Sequence, residues 1–258
     1  MRSLILKSLT LAGGLAVLAM PLSGLAGGVV VNGATAEMKK QTTSASGFVR
    51  VASTTKANGG TVAFAYQPPM RGSASSGRIG GGTRGTADAP SVTLEVLAPE
   101  HAGLTVSAQP TLYWFVSQRI ESDAELTIVD DTSIDPLLEL KLKGPIEAGI
   151  HALSLKDHGV ELKPLVPYQW FVAVVMDPSQ RSYDIVAGGE IQRVGEPGNL
   201  AGTPQAYAEA GIWYDALDGL SAQIDSQPKN TGLRQQRAAL LDQVGLPGAA
   251  EYERSTTQ

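Results

Sequence analysis

One short motif combines a carboxylate, a turn-forming proline and a guanidinium: Asp177-Pro178-Ser179-Gln180-Arg181. In one interpretation, Asp177 pairs with Asp184 or Glu190 as the acid and base of an envelope hydrolase. That chemistry needs the two carboxyl groups to converge at about 5 to 10 Å in a cleft. In the other, the motif is a hairpin turn whose Asp177 caps its own backbone. We favour the turn, and we keep Asp177 and Arg181 as candidate binding residues.

Aromatic residues cluster at strand spacing and suggest a second kind of site. Tyr113 and Trp114 lie in one apolar run, and Tyr168 and Trp170 lie in another. Stacked aromatic rings could bind a glycan or a small ligand. Large aromatic residues at strand period are more often core residues, so the exposure of the two Trp rings distinguishes the two hypotheses.

A third candidate is the helical triplet Trp213-Tyr214-Asp215. Trp213 falls on the apolar stripe of its helix and is predicted to pack inward. Tyr214 and Asp215 point elsewhere on the helix. We therefore treat these two residues as candidates for an interface.

Other site chemistries are excluded or disfavoured by composition. The chain of 258 residues has no Cys, which excludes zinc-finger, Fe–S and thiol chemistry. The three histidines, His101, His151 and His158, lie in or beside predicted turns, and neither G-x-S-x-G nor H-E-x-x-H occurs. The acidic run around Asp130 lacks the ordered ligand spacing and the glycine of a calcium loop. We predict neither a metal nor a cofactor.

The formal net charge of −5 conceals two regions of opposite sign. Residues 38–87 contain seven basic and no acidic residues, whereas residues from Asp88 onward sum to −13. Arg71, Arg78 and Arg84 flank a Gly-rich run in the basic region and are candidate contacts for an anionic envelope polymer. Nucleic acid is not expected as a partner, because the predicted folded part is acidic.

The first 36 residues have the pattern of a signal peptide. Arg2 and Lys7 precede an uncharged apolar run from Leu9 to Ala19, and small-residue cleavage sites end at Ala26 and Ala36. The apolar run is shorter than the roughly 18 to 20 residues that span a membrane. We expect export to the periplasm or secretion, and no membrane span after signal removal.

The elements that must position these candidates follow from periodicity. Residues 37–90 are rich in Gly, Ser and Thr and are predicted to be flexible, apart from a short strand at 61–66. Residues 91–196 alternate with period two through about seven short strands, which predicts an immunoglobulin-like antiparallel β-sandwich. Residues 197–246 predict a helical hairpin, with Thr203 as the first N-cap. Residues 247–258 are predicted to be a disordered tail.

Five motifs follow one another along the chain, at residues 78–85, 109–116, 168–182, 191–194 and 207–217. Together they resemble the bacterial family catalogued as domain of unknown function 928. The resemblance covers roughly Pro68 to Leu246 and implies an exported protein with no assigned activity. In the family pattern, one Cys follows the Thr-Arg-Gly and another stands where this chain has Met176. Both are absent here, so the resemblance implies higher mobility of residues 71–87.

These observations favour a mainly β exported protein with a C-terminal helical hairpin and no catalytic constellation. The preferred hypothesis is a periplasmic protein-binding or assembly module with a protein partner in the cell envelope. The alternatives are a binder of envelope glycans or small ligands and a carboxylate-dependent envelope hydrolase.

Overall fold

Eight strands precede four helices in the computed structural model, which describes residues 64–69, 78–79 and 92–256. The predicted signal segment, most of the basic segment and the loop 71–87 apart from Arg78 and Ile79 lie outside the described residues. The strands are β1 (Leu94–Val96), β2 (Gly103–Thr105), β3 (Thr111–Val116), β4 (Ala124–Asp130), β5 (Leu138–Leu142), β6 (Gly149–Ser154), β7 (Pro167–Val174) and β8 (Ile185–Arg193). The helices are α1 (Pro204–Glu209), α2 (Trp213–Ser226), α3 (Thr231–Gln243) and α4 (Pro247–Ser255).

The strands form two sheets, one of three strands in the order β1-β3-β6 and one of five in the order β2-β8-β7-β4-β5. The mainly β class with a C-terminal helical part is thereby confirmed. One strand, β2, was not predicted, because three residues are too few to show a period of two. It pairs in parallel with β8, so the antiparallel prediction is wrong for this pair.

Strand β3 is buried on both faces, which explains its unbroken apolar run. Tyr113 and Phe115 contact the helices: the Tyr113 hydroxyl donates to Asp218 of α2 at 2.7 Å, and the Phe115 ring lies 5.4 Å from that of Tyr252 of α4. The alternate residues Leu112 and Val116 are also fully buried. The small sheet therefore lies between the helices and the rest of the core.

The predicted hairpin of residues 197–246 contains three helices, α1, α2 and α3. Thr203 caps α1 as predicted, since its hydroxyl accepts from the Ala206 N–H at 3.2 Å. The predicted first helix is broken at Gly211, which adopts a φ of 76°. A Cβ there would lie 2.7 Å from the Gln67 carbonyl oxygen. The break therefore depends on the backbone of Gln67, which is 144 residues away in sequence. The apolar stripe of the helix did not predict it.

The C-terminal residues form a packed helix, so the predicted disordered tail is wrong for Pro247–Ser255. Ala249, Ala250 and Glu253 are buried. The Glu95 carboxylate of β1 accepts from the Ala249 N–H at 3.0 Å, which supplies an anion at the helix N-terminus. The local composition is polar and alanine-rich, and this tertiary contact stabilises the helix.

The segment 64–69 contains no strand, which corrects the predicted strand for residues 64–66. Phe64 and Tyr66 are buried against the core. The amide of Gln243 takes the place of a neighbouring strand, because it donates to the Phe64 carbonyl at 2.7 Å and accepts from the Tyr66 N–H at 2.8 Å.

The helices share one buried ion pair. Glu253 of α4 accepts from the Arg237 Nη2 at 2.8 Å and from its Nε at 3.1 Å. The Nη1 of Arg237 donates to Ser221 of α2 at 3.0 Å. Arg234 adds a longer contact to Glu253 at 3.4 Å. The pair links α2, α3 and α4, and its removal would leave a buried charge.

Replacing Glu253 by Gln is expected to lower the free energy of unfolding by about 3 kcal/mol, because Arg237 would stay buried without an anionic partner. Urea unfolding followed by circular dichroism measures the change. Glu251→Gln is the matched control, since the Glu251 side chain is 77% exposed and should shift stability by under about 0.5 kcal/mol. Equal effects of the two variants would contradict the prediction.

Candidate functional site

The connection between β7 and β8 carries the two candidate residues of the first motif. Asp177 Oδ1 accepts from the Ser179 N–H at 2.8 Å and from the Ser179 hydroxyl at 2.7 Å. The predicted turn, in which Asp177 caps its own backbone, is confirmed. These hydrogen bonds stabilise the carboxylate and hold the pKa of Asp177 below its usual range.

Arg181 joins this turn to the face of the five-stranded sheet. Its Nη2 and Nη1 donate to the two carboxylate oxygens of Glu125 at 2.6 and 3.2 Å, and its Nε donates to Asp184 at 2.6 Å. Hydrogen bonds from Arg181 lower the pKa of Glu125. The other Asp184 oxygen, Oδ1, is buried and has no hydrogen-bond partner among the described residues. The guanidinium is thus held between two acids while remaining half exposed.

A cleft of about 430 Å³ opens beside Arg181. Its walls combine apolar side chains with charges of both signs. It is lined by Ser122, Asp123, Ala124, Glu125, Lys141, Val175, Met176, Pro178 and Arg181.

Apolar side chains are exposed around the same turn. Met176 is 47% exposed, Tyr183 is 54% exposed and Val186 is 37% exposed. We call the cleft together with these three residues the turn surface. The register of the sheet places Val186 opposite Ala173 and Ala173 opposite Glu125, so the apolar and ionic parts lie side by side on one face.

Tyr214, a candidate interface residue, lies in the core. Tyr214 is fully buried, and its hydroxyl accepts from the Trp170 Nε1–H at 2.9 Å and donates to the Glu190 carbonyl at 3.1 Å. The N-terminal end of α2 inserts into the protein core, so both sides of its first helical turn are covered. Gly103 leaves the space that the Tyr214 ring fills, since a Cβ there would lie 2.6 Å from its Cε2.

Asp215 is partly buried at the start of α2, where its Oδ2 accepts from the Val106 N–H at 3.1 Å. Burial raises the pKa of Asp215, and the hydrogen bonds from Thr105 and Val106 oppose this shift. These contacts give Asp215 a structural role at the start of α2 and leave little of its surface for a partner.

Arg78 binds the backbone of its own chain. Its Nη1 donates to the carbonyls of Ala98 at 3.1 Å and Val244 at 2.9 Å, and its Nη2 donates to Gly245 at 2.7 Å. Val244 and Gly245 directly follow α3, so a cation at their carbonyls also complements the dipole of this helix. The other two candidate arginines, Arg71 and Arg84, lie outside the described residues.

The aromatic cluster is part of the core. Trp170 and Tyr168 are essentially unexposed, and Trp114 and Tyr113 are below one tenth exposed. Rings that are covered on both faces have no surface on which a sugar could stack. The geometry removes the basis of the glycan-binding alternative at these four residues.

The carboxylate pairs proposed for hydrolysis are held in separate contacts. Asp177 binds its own turn, and Asp184 binds Arg181. Glu190 is buried within β8. The cleft beside Arg181 is lined by none of these three acids. Within residues 64–69, 78–79 and 92–256, no group of three or more His, Asp or Glu side chains is arranged to hold a metal ion.

Sequence reasoning missed a second, smaller cleft of about 240 Å³, which is lined by Tyr66, Pro68, Pro99, Glu100, His101, Gln243, Val244 and Gly245. Tyr66 and His101 stack with a centroid distance of 6.0 Å. These residues come from three distant parts of the chain, so no sequence motif connects them.

In the described part of the chain, no helix has both the length and the apolar character needed to cross a membrane.

The sequence profile of the family Domain of Unknown Function (DUF928) matches residues 79–253. The match spans more than half of the chain, and the chain therefore belongs to this family. It includes all eight strands, α1 to α3 and most of α4. No curated protein matches the chain.

Asp215 and Asp177 should contribute to stability with opposite pH dependence. The raised pKa of Asp215 means that its ionised form disfavours folding, so Asp215→Asn should gain stability relative to the unmodified protein as pH rises through the aspartate range. The lowered pKa of Asp177 means that its ionised form favours folding. Asp177→Asn should therefore lose relative stability as pH rises toward the ordinary aspartate pKa from below, whereas the gain of Asp215→Asn develops above that pKa.

Urea unfolding of both variants between about pH 2 and pH 7 measures these trends on both sides of the ordinary aspartate pKa. Each variant is the control for the other, since the substitution is the same and only the surroundings differ. Parallel pH profiles for the two variants would contradict the assignment.

Proposed function

We propose that this protein is an exported protein-binding or assembly module of the bacterial cell envelope, and that it contacts a protein partner through the turn surface. The observation that carries the proposal is the composition of this surface. Exposed Met176, Tyr183 and Val186 adjoin a cleft whose walls combine apolar side chains with charges of both signs.

This arrangement matches the anatomy of protein interfaces. Interfaces combine an apolar centre with a polar rim, and Met, Tyr and Arg are enriched in them. Arg181 is held by Glu125 and Asp184 before any partner arrives, so little side-chain entropy remains to be lost on binding. The 430 Å³ cleft has room for a large side chain of the partner.

The partner should present an apolar anchor flanked by charges of both signs. The apolar anchor would enter the cleft against Met176 and Pro178. An acidic group beside it would face Arg181, and a basic group would face Glu125. A uniformly charged polymer would meet like charges at this mixed rim, which supports a protein as the ligand.

A photo-cross-linking residue in place of Met176 should give an adduct of one defined mass in cells that produce the protein. The same residue in place of Ile134 is the matched control, because Ile134 is fully exposed in the β4–β5 connection at the opposite end of the sheet. Adding Val186→Lys should reduce the Met176 adduct by about tenfold, because a charge would be placed in the apolar centre. Equal labelling from both positions would contradict a specific surface.

Export is tested separately. The first 36 residues fused to a reporter that is active only outside the cytoplasm should give activity, because an uncharged apolar run follows the basic Arg2 and Lys7. Leu15→Arg should abolish this activity by placing a charge in the run. The mass of the mature chain should correspond to cleavage after Ala36 or after Ala26. A chain that keeps Met1 and a silent reporter would refute export and leave the turn surface untouched.

A further inference from the structure

Strand β5 forms one end of the five-stranded sheet, and within the described residues only β4 pairs with it. An edge strand presents a row of backbone N–H and C=O groups that can pair with another chain. The five residues of β5 have the sequence Leu-Glu-Leu-Lys-Leu.

The apolar side of this edge is incompletely covered. Leu138, Leu140 and Leu142 lie opposite Ile128, Leu126 and Ala124 of β4. The three β4 side chains are fully buried, whereas the three leucines are only partly buried. Side-chain burial on this face thus falls from complete in β4 to partial in β5. A further strand beside β5 would cover the leucine row.

The charges on the other side of β5 are self-complementary. When two copies of β5 run antiparallel and are centred on Leu140, Glu139 of each copy faces Lys141 of the other. Leu138 then faces Leu142, and Leu140 faces its own equivalent. Every cross-strand pair therefore joins two leucines or two opposite charges, which are the favourable combinations in a sheet.

Other registers lose this match. A slip of one residue places leucines opposite charged residues and on the wrong face. A slip of two residues brings Lys141 opposite Lys141, or Glu139 opposite Glu139. The complementarity is specific to one symmetric register, as expected for a contact between identical surfaces.

From this geometry we propose that β5 is a homodimer interface, in which a second copy of the chain pairs antiparallel with β5 about Leu140 and the two five-stranded sheets become one of ten strands. The proposal goes beyond the protein-binding function of the turn surface. The dimer contact uses the edge of β5 opposite β4. It shares Lys141 with the cleft of the turn surface, whereas Glu139 does not line that cleft, so Glu139→Lys tests the dimer apart from the turn surface.

Sedimentation velocity of the purified full chain should show a monomer–dimer equilibrium. Glu139→Lys and Lys141→Glu should each raise the dissociation constant by at least about tenfold, because each converts two attractive pairs of the dimer into repulsive ones. An equimolar mixture of the two variants should form heterodimers at least as tightly as the unmodified chain, since the opposite charges meet again. The double variant, Glu139→Lys with Lys141→Glu, should also dimerise.

Lys156→Glu is the control, because Lys156 is exposed in a short 3₁₀ helix, Leu155–His158, away from β5. It changes the net charge as Lys141→Glu does and should leave the dissociation constant unchanged. A chain that stays monomeric at its highest soluble concentration overturns the proposal. A dimer that both single variants leave intact, or a mixture of them that stays monomeric, overturns it as well, since the contact would then lie elsewhere or depend on other groups.

Discussion

Two aromatic side chains at the start of α2 connect the helices to both sheets, and the rest of the fold depends on their buried hydrogen bonds. The Trp213 Nε1–H donates to the Leu97 carbonyl beside β1 at 2.8 Å. The Tyr214 hydroxyl joins Trp170 of β7 to the Glu190 carbonyl of β8. A buried polar group without a partner costs about 1 to 3 kcal/mol, so these contacts specify how the helices dock. The position of the Tyr214 ring also explains why residue 103 must lack a side chain, since a Cβ on Gly103 would lie 2.6 Å from the Tyr214 Cε2.

This docking determines which surfaces remain available. The helices cover one face of the three-stranded sheet and one end of the five-stranded sheet, where α2 contacts β2. The turn between β7 and β8 and the edge of β5 are left outside this layer. Both are supported by long, hydrogen-bonded strands. A surface on such a scaffold is preorganised, and the ordering cost of binding is correspondingly small.

The candidate site was predictable where its contacts are local. The cap of Asp177 on Ser179 spans two residues, and the sequence indicated it through the Asp-Pro-Ser pattern. The ion pair between Arg181 and Glu125 spans 56 residues, and no spacing rule connects them. Likewise, the helical stripe predicted Trp213 correctly, but Tyr214 became buried because a second layer of structure covers the other side of the same turn.

The amino-acid sequence by itself determined β1, the strands from β3 to β8, the cap at Thr203 and the turn at Asp177, because strand-length apolar patterns and short-range hydrogen bonds depend on neighbouring residues. It also determined the charge pattern of β5. Only the tertiary structure decided the parallel strand β2, the break at Gly211 and the helix α4. Each of these depends on a contact between residues far apart in the chain: β8 for β2, Gln67 for Gly211 and Glu95 for α4. The energy of such a contact exists only once the rest of the chain is in place, so no local pattern encodes it.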